Sequence, residues 1–127
     1  MTEQKPKFLV LGLCAEWCRV CREYQPGFEA LAEEFNDVPF YWRDIEDIED
    51  EWPDILDVEN FPTILIRRNR TVLFFGPVLP QLGHLRRMLE NFMGMDDTEA
   101  AHQAENQPDD TDWQQANDFC DLLENAN

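Results

Sequence analysis

Long hydrophobic runs, basic residues and histidine are scarce in this sequence, and each shortage removes a class of function. The apolar stretch Phe8-Leu9-Val10-Leu11-Gly12-Leu13 falls far short of the roughly 20 residues a membrane-spanning helix needs. It is also too short for a signal-peptide core and lacks a small-residue cleavage site, so the chain is expected to be cytoplasmic, with no membrane partner. Ten Lys and Arg stand against 27 Asp and Glu, a formal net charge of −17. That balance argues against nucleic acid or an anionic membrane as a partner and leaves room for a basic protein. The two histidines, His84 and His102, do not offer the paired ligand spacing of a structural zinc site, so no metal is expected. Cys14, Cys18 and Cys21 match an iron–sulfur spacing of radical enzymes, but 127 residues are too few for the barrel those enzymes use. There is no internal repeat, and the length suits one domain.

Basic residues are missing altogether from residues 96–127, which carry ten acidic residues. A domain is therefore expected over residues 1–95, followed by an acidic, largely flexible tail, with 96–110 flexible. Thr111 and Gln114 form a capping-box pattern, and Trp113, Ala116, Cys120 and Leu123 share a helical face with Phe119 beside it, so a helix over 111–124 is possible. It would be marginal alone and would need something to pack on. Without a continuous apolar pattern in this tail, the core is expected to fold when 96–127 are removed.

Within the first 95 residues, Phe8–Leu13 is short and apolar enough for a strand buried on both faces. From Cys18 the pattern turns helical: Val20, Tyr24, Phe28, Leu31, Ala32 and Phe35 fall on one face, with Pro26 expected to kink the helix. Phe40–Ile45 reads as an aromatic-rich strand. The nine acids between Asp44 and Glu59 read as solvated loops and a short helix opening at Trp52-Pro53. Ile64-Leu65-Ile66 and Thr71–Phe75 flank the turn Asn69-Arg70 and predict an antiparallel hairpin, ended by Gly76-Pro77. Leu82, Leu85, Met88, Leu89 and Phe92 give a last core helix, with Gly94 beyond it. The order predicts an α/β fold, a central mixed sheet of about four strands flanked by helices on both faces.

The chemistry-bearing stretch is Trp17-Cys18-Arg19-Val20-Cys21. Two thiols at this spacing can close a small disulfide ring. A helix starting at Cys18 would place its sulfur over unsatisfied N–H groups, which favour a thiolate. In a reducing compartment such a pair is more often catalytic or metal-binding than a structural bridge. Cys14 reads as a small buried filler, otherwise as a third redox thiol, and Cys120 as a helix-face residue, otherwise as a regulatory thiol.

Ala15-Glu16-Trp17-Cys18-Arg19-Val20-Cys21, with Pro26 five residues on and Phe61-Pro62-Thr63 later, resembles the thioredoxin family over roughly residues 7–94. The resemblance implies a thioredoxin-like fold shortened at its N-terminus, a cis-proline at Pro62 opposite the pair, and Gly76 beside the substrate groove. It implies thiol–disulfide exchange with protein substrates: Cys18 attacks, Cys21 resolves, and the redox-active Cys18–Cys21 disulfide serves in place of any cofactor. Trp17, Arg19, Val20, Phe61, Pro62 and Gly76 would contact substrate, and Arg19 would add positive charge near Cys18. Departures from the family pattern are as informative. Arg19-Val20 replaces the usual Gly-Pro, Gly12 stands where the family has a buried Asp, and Trp42 where it often has a basic partner. Glu16 or Asp44 would have to supply the missing acid. These departures point to a restricted clientele, or alternatively to a non-catalytic adaptor or assembly chaperone.

Overall fold

A computed structural model describes residues 6–15, 17–56, 58, 61–78, 81–105 and 110–125. Its sheet is built from β1 (Phe8–Cys14), β2 (Phe40–Asp44), β3 (Thr63–Arg68) and β4 (Thr71–Pro77), in the order β2-β1-β3-β4. β1 runs parallel to β2, with Gly12 opposite Trp42, and antiparallel to β3, which pairs antiparallel with β4 across the expected hairpin. Asn69 takes the left-handed conformation at that turn, φ 55°, as asparagine tolerates. β1 is buried along its whole length, which explains its unbroken apolar run: a central strand covered on both faces takes nearly all its side chains out of water.

The first face of the sheet carries Val10, Ile64, Ile66 and Leu73. It is covered by α1 (Arg19–Glu34), α2 (Leu82–Met93) and α3 (Asp97–Glu105). α1 presents Cys21, Tyr24, Phe28 and Leu31 inward, and α2 presents Leu85, Leu89 and Phe92. Tyr24, Phe28, Leu31, Leu85, Leu89 and Phe92 match the helical spacing read from the sequence, whereas Val20, placed on the same face, is exposed. The helix continues through Pro26, and the next residue, Gly27, sets the approach of α2. A Cβ at Gly27 would stand 1.7 Å from Leu82 Cδ1, so a side chain there would force the Leu82 side chain to move.

The second face carries Leu9, Leu11, Leu13, Leu65 and Val72. Ile48, Trp52 and Leu56 from the stretch after β2 cover part of it, and the C-terminal segment covers the rest through Ala116, Phe119, Cys120 and Leu123. That segment consists of α4 (Asp110–Trp113), a short 3₁₀ turn (Gln114–Ala116) and α5 (Asn117–Asn125). Trp52 meets Phe119 edge-on at 5.4 Å and Phe75 at 5.8 Å.

Two expectations change here. Residues 97–105, expected to be flexible, form α3, whose Ala100 and Ala104 are buried in the first-face core. The C-terminal segment likewise has a packing surface, and its acidic residues meet arginines. Arg67 faces the second side of the sheet and donates from Nη1 to Asp121 at 2.9 Å and to the Asn117 side chain at 3.2 Å, and from Nη2 to Glu124. Arg68 donates to Asp97 of α3 at 2.6 Å. Gln114 also reaches the sheet. Its side-chain amide spans the outer edge of β4, accepting from Val72 N–H at 2.8 Å and donating to Val72 C=O at 3.1 Å. An edge strand's open backbone groups are thereby satisfied within the chain. The helix expected at Trp52-Pro53 is a set of turns over 51–56, because Trp52 Nε1–H donates to Leu56 C=O at 2.6 Å and draws the chain into a bend.

Candidate active site

β1 and α1 bring the predicted pair together where strand gives way to helix. Ala15 is buried directly after β1. Its carbonyl accepts from Cys18 N–H at 2.9 Å, folding the chain into the turn that opens α1. Cys18 is the N-cap residue, in extended conformation, and no acidic residue sits in the first helical turn. Cys18 is half-buried and Cys21, one turn on, is buried; both are free thiols. Burial pushes the Cys21 thiol up to about 12; a backbone hydrogen bond from Ala15 opposes the rise and the neighbouring Cys18 adds to it. The pair is thus asymmetric, one sulfur accessible and one withdrawn.

The turn before β3 meets Trp17, the residue before Cys18. The Phe61–Pro62 peptide is cis, and the Pro62 carbonyl accepts from Val78 N–H at 3.1 Å. Phe61 meets Trp17 edge-on, ring centroids 5.6 Å apart. Trp17 is 68% exposed and Val20 is also exposed, so an apolar surface flanks Cys18. Gly76 lies in β4 opposite Ile64. A Cβ there would meet only Phe74 Cζ at 3.7 Å, an ordinary contact, so sterics alone do not require glycine. The Arg19 guanidinium turns to Glu23, Nε to Oε1 3.2 Å, in a solvent-exposed pair one helical turn long, so its charge is shared with a carboxylate.

Beneath the pair, the volume beside Gly12 is filled by an indole. A Cβ at Gly12 would lie 2.6 Å from Trp42 Cε3, 2.9 Å from Cζ3 and 3.2 Å from Phe28 Cε2. Trp42 is wedged between Tyr24, stacked at 6.2 Å, and Phe28 at 5.0 Å. Glycine and tryptophan are here a matched pair, each explaining the other. Of the two acids expected to compensate, Glu16 lies outside the described residues. Asp44 accepts from Glu46 N–H at 2.8 Å and, with Asp47, reinforces the rise of Cys14, whose burial pushes it to about 11. Asp44 and Asp47 thus act electrostatically on Cys14. Nothing in the residue pattern singles out Asp47, or the backbone role of Ala15, whose carbonyl takes the Cys18 N–H. Among the described residues no group of three His, Cys, Asp or Glu side chains is placed to hold a metal ion.

A buried and a half-buried thiol at a helix start, on a mixed four-stranded sheet whose β3 follows a cis-proline, make up the candidate thiol site of an α/β scaffold. The thioredoxin sequence model matches residues 2–74, and the chain belongs to the thioredoxin family. It is 35% identical to thioredoxin H2 of Arabidopsis thaliana over 74 residues, 55% of this chain and 53% of the relative. It is 41% identical to a thioredoxin of Oryctolagus cuniculus over 44 residues, 35% of this chain and 42% of the relative. The chain thus spans about half the length of the curated relatives it matches. Among solved structures, Fasciola hepatica thioredoxin superposes with a TM-score of 0.61 at 25% identity, covering 68% of this chain and 82% of that one. Spinach chloroplast thioredoxin f, long form, gives 0.59 at 26% identity, covering 67% and 69%. The fold is that of thioredoxin.

Proposed function

We propose that this chain is a thiol–disulfide oxidoreductase that exchanges disulfides with protein substrates in the cytoplasm through Cys18 and Cys21. The observation that carries this reading is the asymmetric thiol pair at the start of α1, with the cis Phe61–Pro62 turn reaching the neighbouring Trp17. As thiolate, Cys18 attacks a substrate disulfide; the substrate's second sulfur leaves and a mixed disulfide forms. Cys21, as thiolate, then attacks the Cys18 sulfur: the Cys18–substrate bond breaks, the substrate departs as its thiolate, and the two electrons it gains come from the Cys18 and Cys21 thiols, which are oxidised to a disulfide. That disulfide is the only redox group this step needs. Trp17, Val20 and Phe61 would seat the apolar flank of a substrate, and the backbone around Pro62 and Gly76 would take an extended segment.

We infer a restricted clientele. Cys21 is withdrawn and Trp42 fills the space beside Gly12, so resolution is slow at neutral pH and favours substrates that dock firmly. The same crowding favours, as a second reading, an adaptor that holds a partner without turning it over. A basic protein partner for the C-terminal segment would meet acids that stay exposed, such as Glu99 and Glu105; Asp97, Asp121 and Glu124 already meet arginines of this chain.

The deciding experiment is a Cys21→Ser trap. The variant should accumulate mixed disulfides on Cys18, and the wild type should reduce a disulfide-bonded peptide. Absence of both would leave the adaptor. Because Cys21 is pushed to about 12, its thiolate fraction grows about tenfold per pH unit below that value. Wild-type resolution of a preformed Cys18 mixed disulfide should therefore accelerate steadily from pH 7 to pH 10. A flat profile would remove Cys21 as the attacking group.

A further inference from the structure

The two outer edges of the sheet are finished differently. β4 is held by Gln114, whose amide takes both the N–H and the C=O of Val72. β2 is the other outer strand, and among the described residues no strand lies beyond it. Its pairing with β1 fixes where its backbone groups point. Val10 stands opposite Phe40, yet its N–H donates to the Pro39 carbonyl at 3.0 Å. In a parallel ladder the slanted bonds go to the residues flanking the opposite one. Pro39, Tyr41 and Arg43 therefore turn their backbone groups to β1, while Phe40 and Trp42 turn theirs outward, with no strand to receive their N–H groups. The outward carbonyl of Trp42 accepts from Arg43 Nη1 at 2.9 Å. The same guanidinium lies 5.5 Å from the centre of the Tyr41 ring.

We propose that this edge joins two copies of the chain: β2 pairs antiparallel with β2 of a second copy about a twofold axis at Trp42, making one continuous sheet. That axis sets Trp42 opposite Trp42, Tyr41 opposite Arg43 and Phe40 opposite Asp44 of the second copy. Each Trp42 N–H then donates to the Trp42 carbonyl across the axis, so the bonds fall on residues already turned outward. The side chains select the partner. A strand that sets a cation opposite Arg43 is repelled, and one that sets an aromatic ring there is attracted. β2 itself supplies that ring in Tyr41, and symmetry supplies it twice. Sliding the pair by two residues toward Asp44 would set Arg43 against Arg43, so this register is distinguished. β2 carries one arginine and one aspartate, and the two strands meet without net charge although the chain carries −17. With β4 held by Gln114, one pairing uses the open edge, and assembly closes at two copies. β1 runs parallel to β2 and ends next to the thiol pair. The antiparallel pairing therefore places the two Cys18 sites at opposite ends of the joined sheet.

Sedimentation velocity of the full chain, kept reduced with dithiothreitol, should show a dimer that gains on the monomer as concentration rises. Amide hydrogen exchange then locates the contact. Where nine-tenths of the chains are paired, only the free tenth exchanges, so the Phe40 and Trp42 amides should slow about tenfold relative to a dilute sample. Arg43→Glu sets a carboxylate against Tyr41 and adds like charge across the axis, and should raise the dissociation constant at least about tenfold. The exchange measurement uses the wild type and decides the matter even if Arg43→Glu fails to fold. A chain that stays monomeric at every concentration would overturn the proposal. So would a dimer whose Phe40 and Trp42 amides exchange as fast as in dilute solution, since it joins elsewhere. Both amides protected in the dilute monomer would place another part of the same chain on the edge, and unchanged affinity in Arg43→Glu would remove the register; either outcome overturns it. None of these readouts involves Cys18 or Cys21, so the contact and the exchange reading stand or fall separately.

Discussion

The two faces of the sheet are closed by segments of opposite character. On the first, α1 and α2 lay regularly spaced apolar residues over Val10, Ile64 and Ile66. On the second, a segment with no basic residue after residue 95 supplies Ala116, Phe119, Cys120 and Leu123 to the core. The difference teaches that composition is a poor guide to whether a segment packs. A few apolar side chains at one helical face suffice when the surrounding charges find partners. Arg67 and Arg68, adjacent in β3, point to opposite faces and bind acids of α5 and α3 respectively. The excess acid of this segment is thus partly the complement of two buried arginines.

The largest test of this comparison is removal of residues 96–127. The second face would lose its α5 cover and Arg67 its carboxylates. Burial of a side chain such as Phe119 or Leu123 contributes about 1.5–3 kcal/mol, against a total stability of about 5–15 kcal/mol for a domain. We expect the truncated chain to lose cooperative thermal unfolding by circular dichroism. Retention of a sharp transition near the full-length midpoint would show the second face to be self-sufficient, as the sequence alone suggests.

A finer test separates charge from packing. Asp121→Asn with Glu124→Gln leaves the Arg67 guanidinium, whose side chain is 3% exposed, buried without a counter-charge. Stripping one side of a buried ion pair costs about 3 kcal/mol. Arg67→Met should cost less, because the two carboxylates left behind are about a third exposed and can be rehydrated. Urea titration of both variants reads the order directly; a greater loss in Arg67→Met would mean that Arg67 acts chiefly through its hydrogen bonds to Asn117.

How much of this was legible in the sequence differs between the faces for the same physical reasons. β1, α1, α2 and the hairpin could be read because their apolar residues recur with the period of their structure. The site could be read because Cys18 and Cys21 lie close in sequence and Pro62 belongs to a recognisable tripeptide. α3 could not, since it packs through Ala100 and Ala104, which add almost nothing to an apolar pattern. Burial of Arg67 depends on acids more than fifty residues away. Gly12 and Trp42 each looked like a loss of function; only the strand register, which sets them side by side, reveals one filling the space of the other.

That complement gives the next test, on the first face. Gly12→Ala places a carbon 2.6 Å from a ring held by Tyr24 and Phe28. Overpacking of this kind costs about 2 kcal/mol. The loss should shrink when Trp42→Leu is added, since the smaller side chain vacates the contact. A thermal-melt double-mutant cycle measures the coupling, and strict additivity would mean that Gly12 is not confined by the indole.

The smallest effect is expected where the chemistry is the same as at Arg67 but the setting is not. Arg86 of α2 meets Glu34 of α1 with two hydrogen bonds, both 2.9 Å, a better-matched fork than Arg67 makes with either of its acids. Yet both side chains are 47% exposed. Water screens the attraction and competes for the donors, and ordering two long side chains opposes the gain, so Arg86→Ala should cost less than about 1 kcal/mol. Raising the salt concentration should shrink even that difference, as screening weakens exposed pairs first. The Asp121→Asn/Glu124→Gln loss should change little, because Arg67 is shielded by the protein. If Arg86→Ala destabilised the chain as much as neutralising the Arg67 acids, exposure would not distinguish the two faces. The bond between α1 and α2 would then be a principal fastening of the fold.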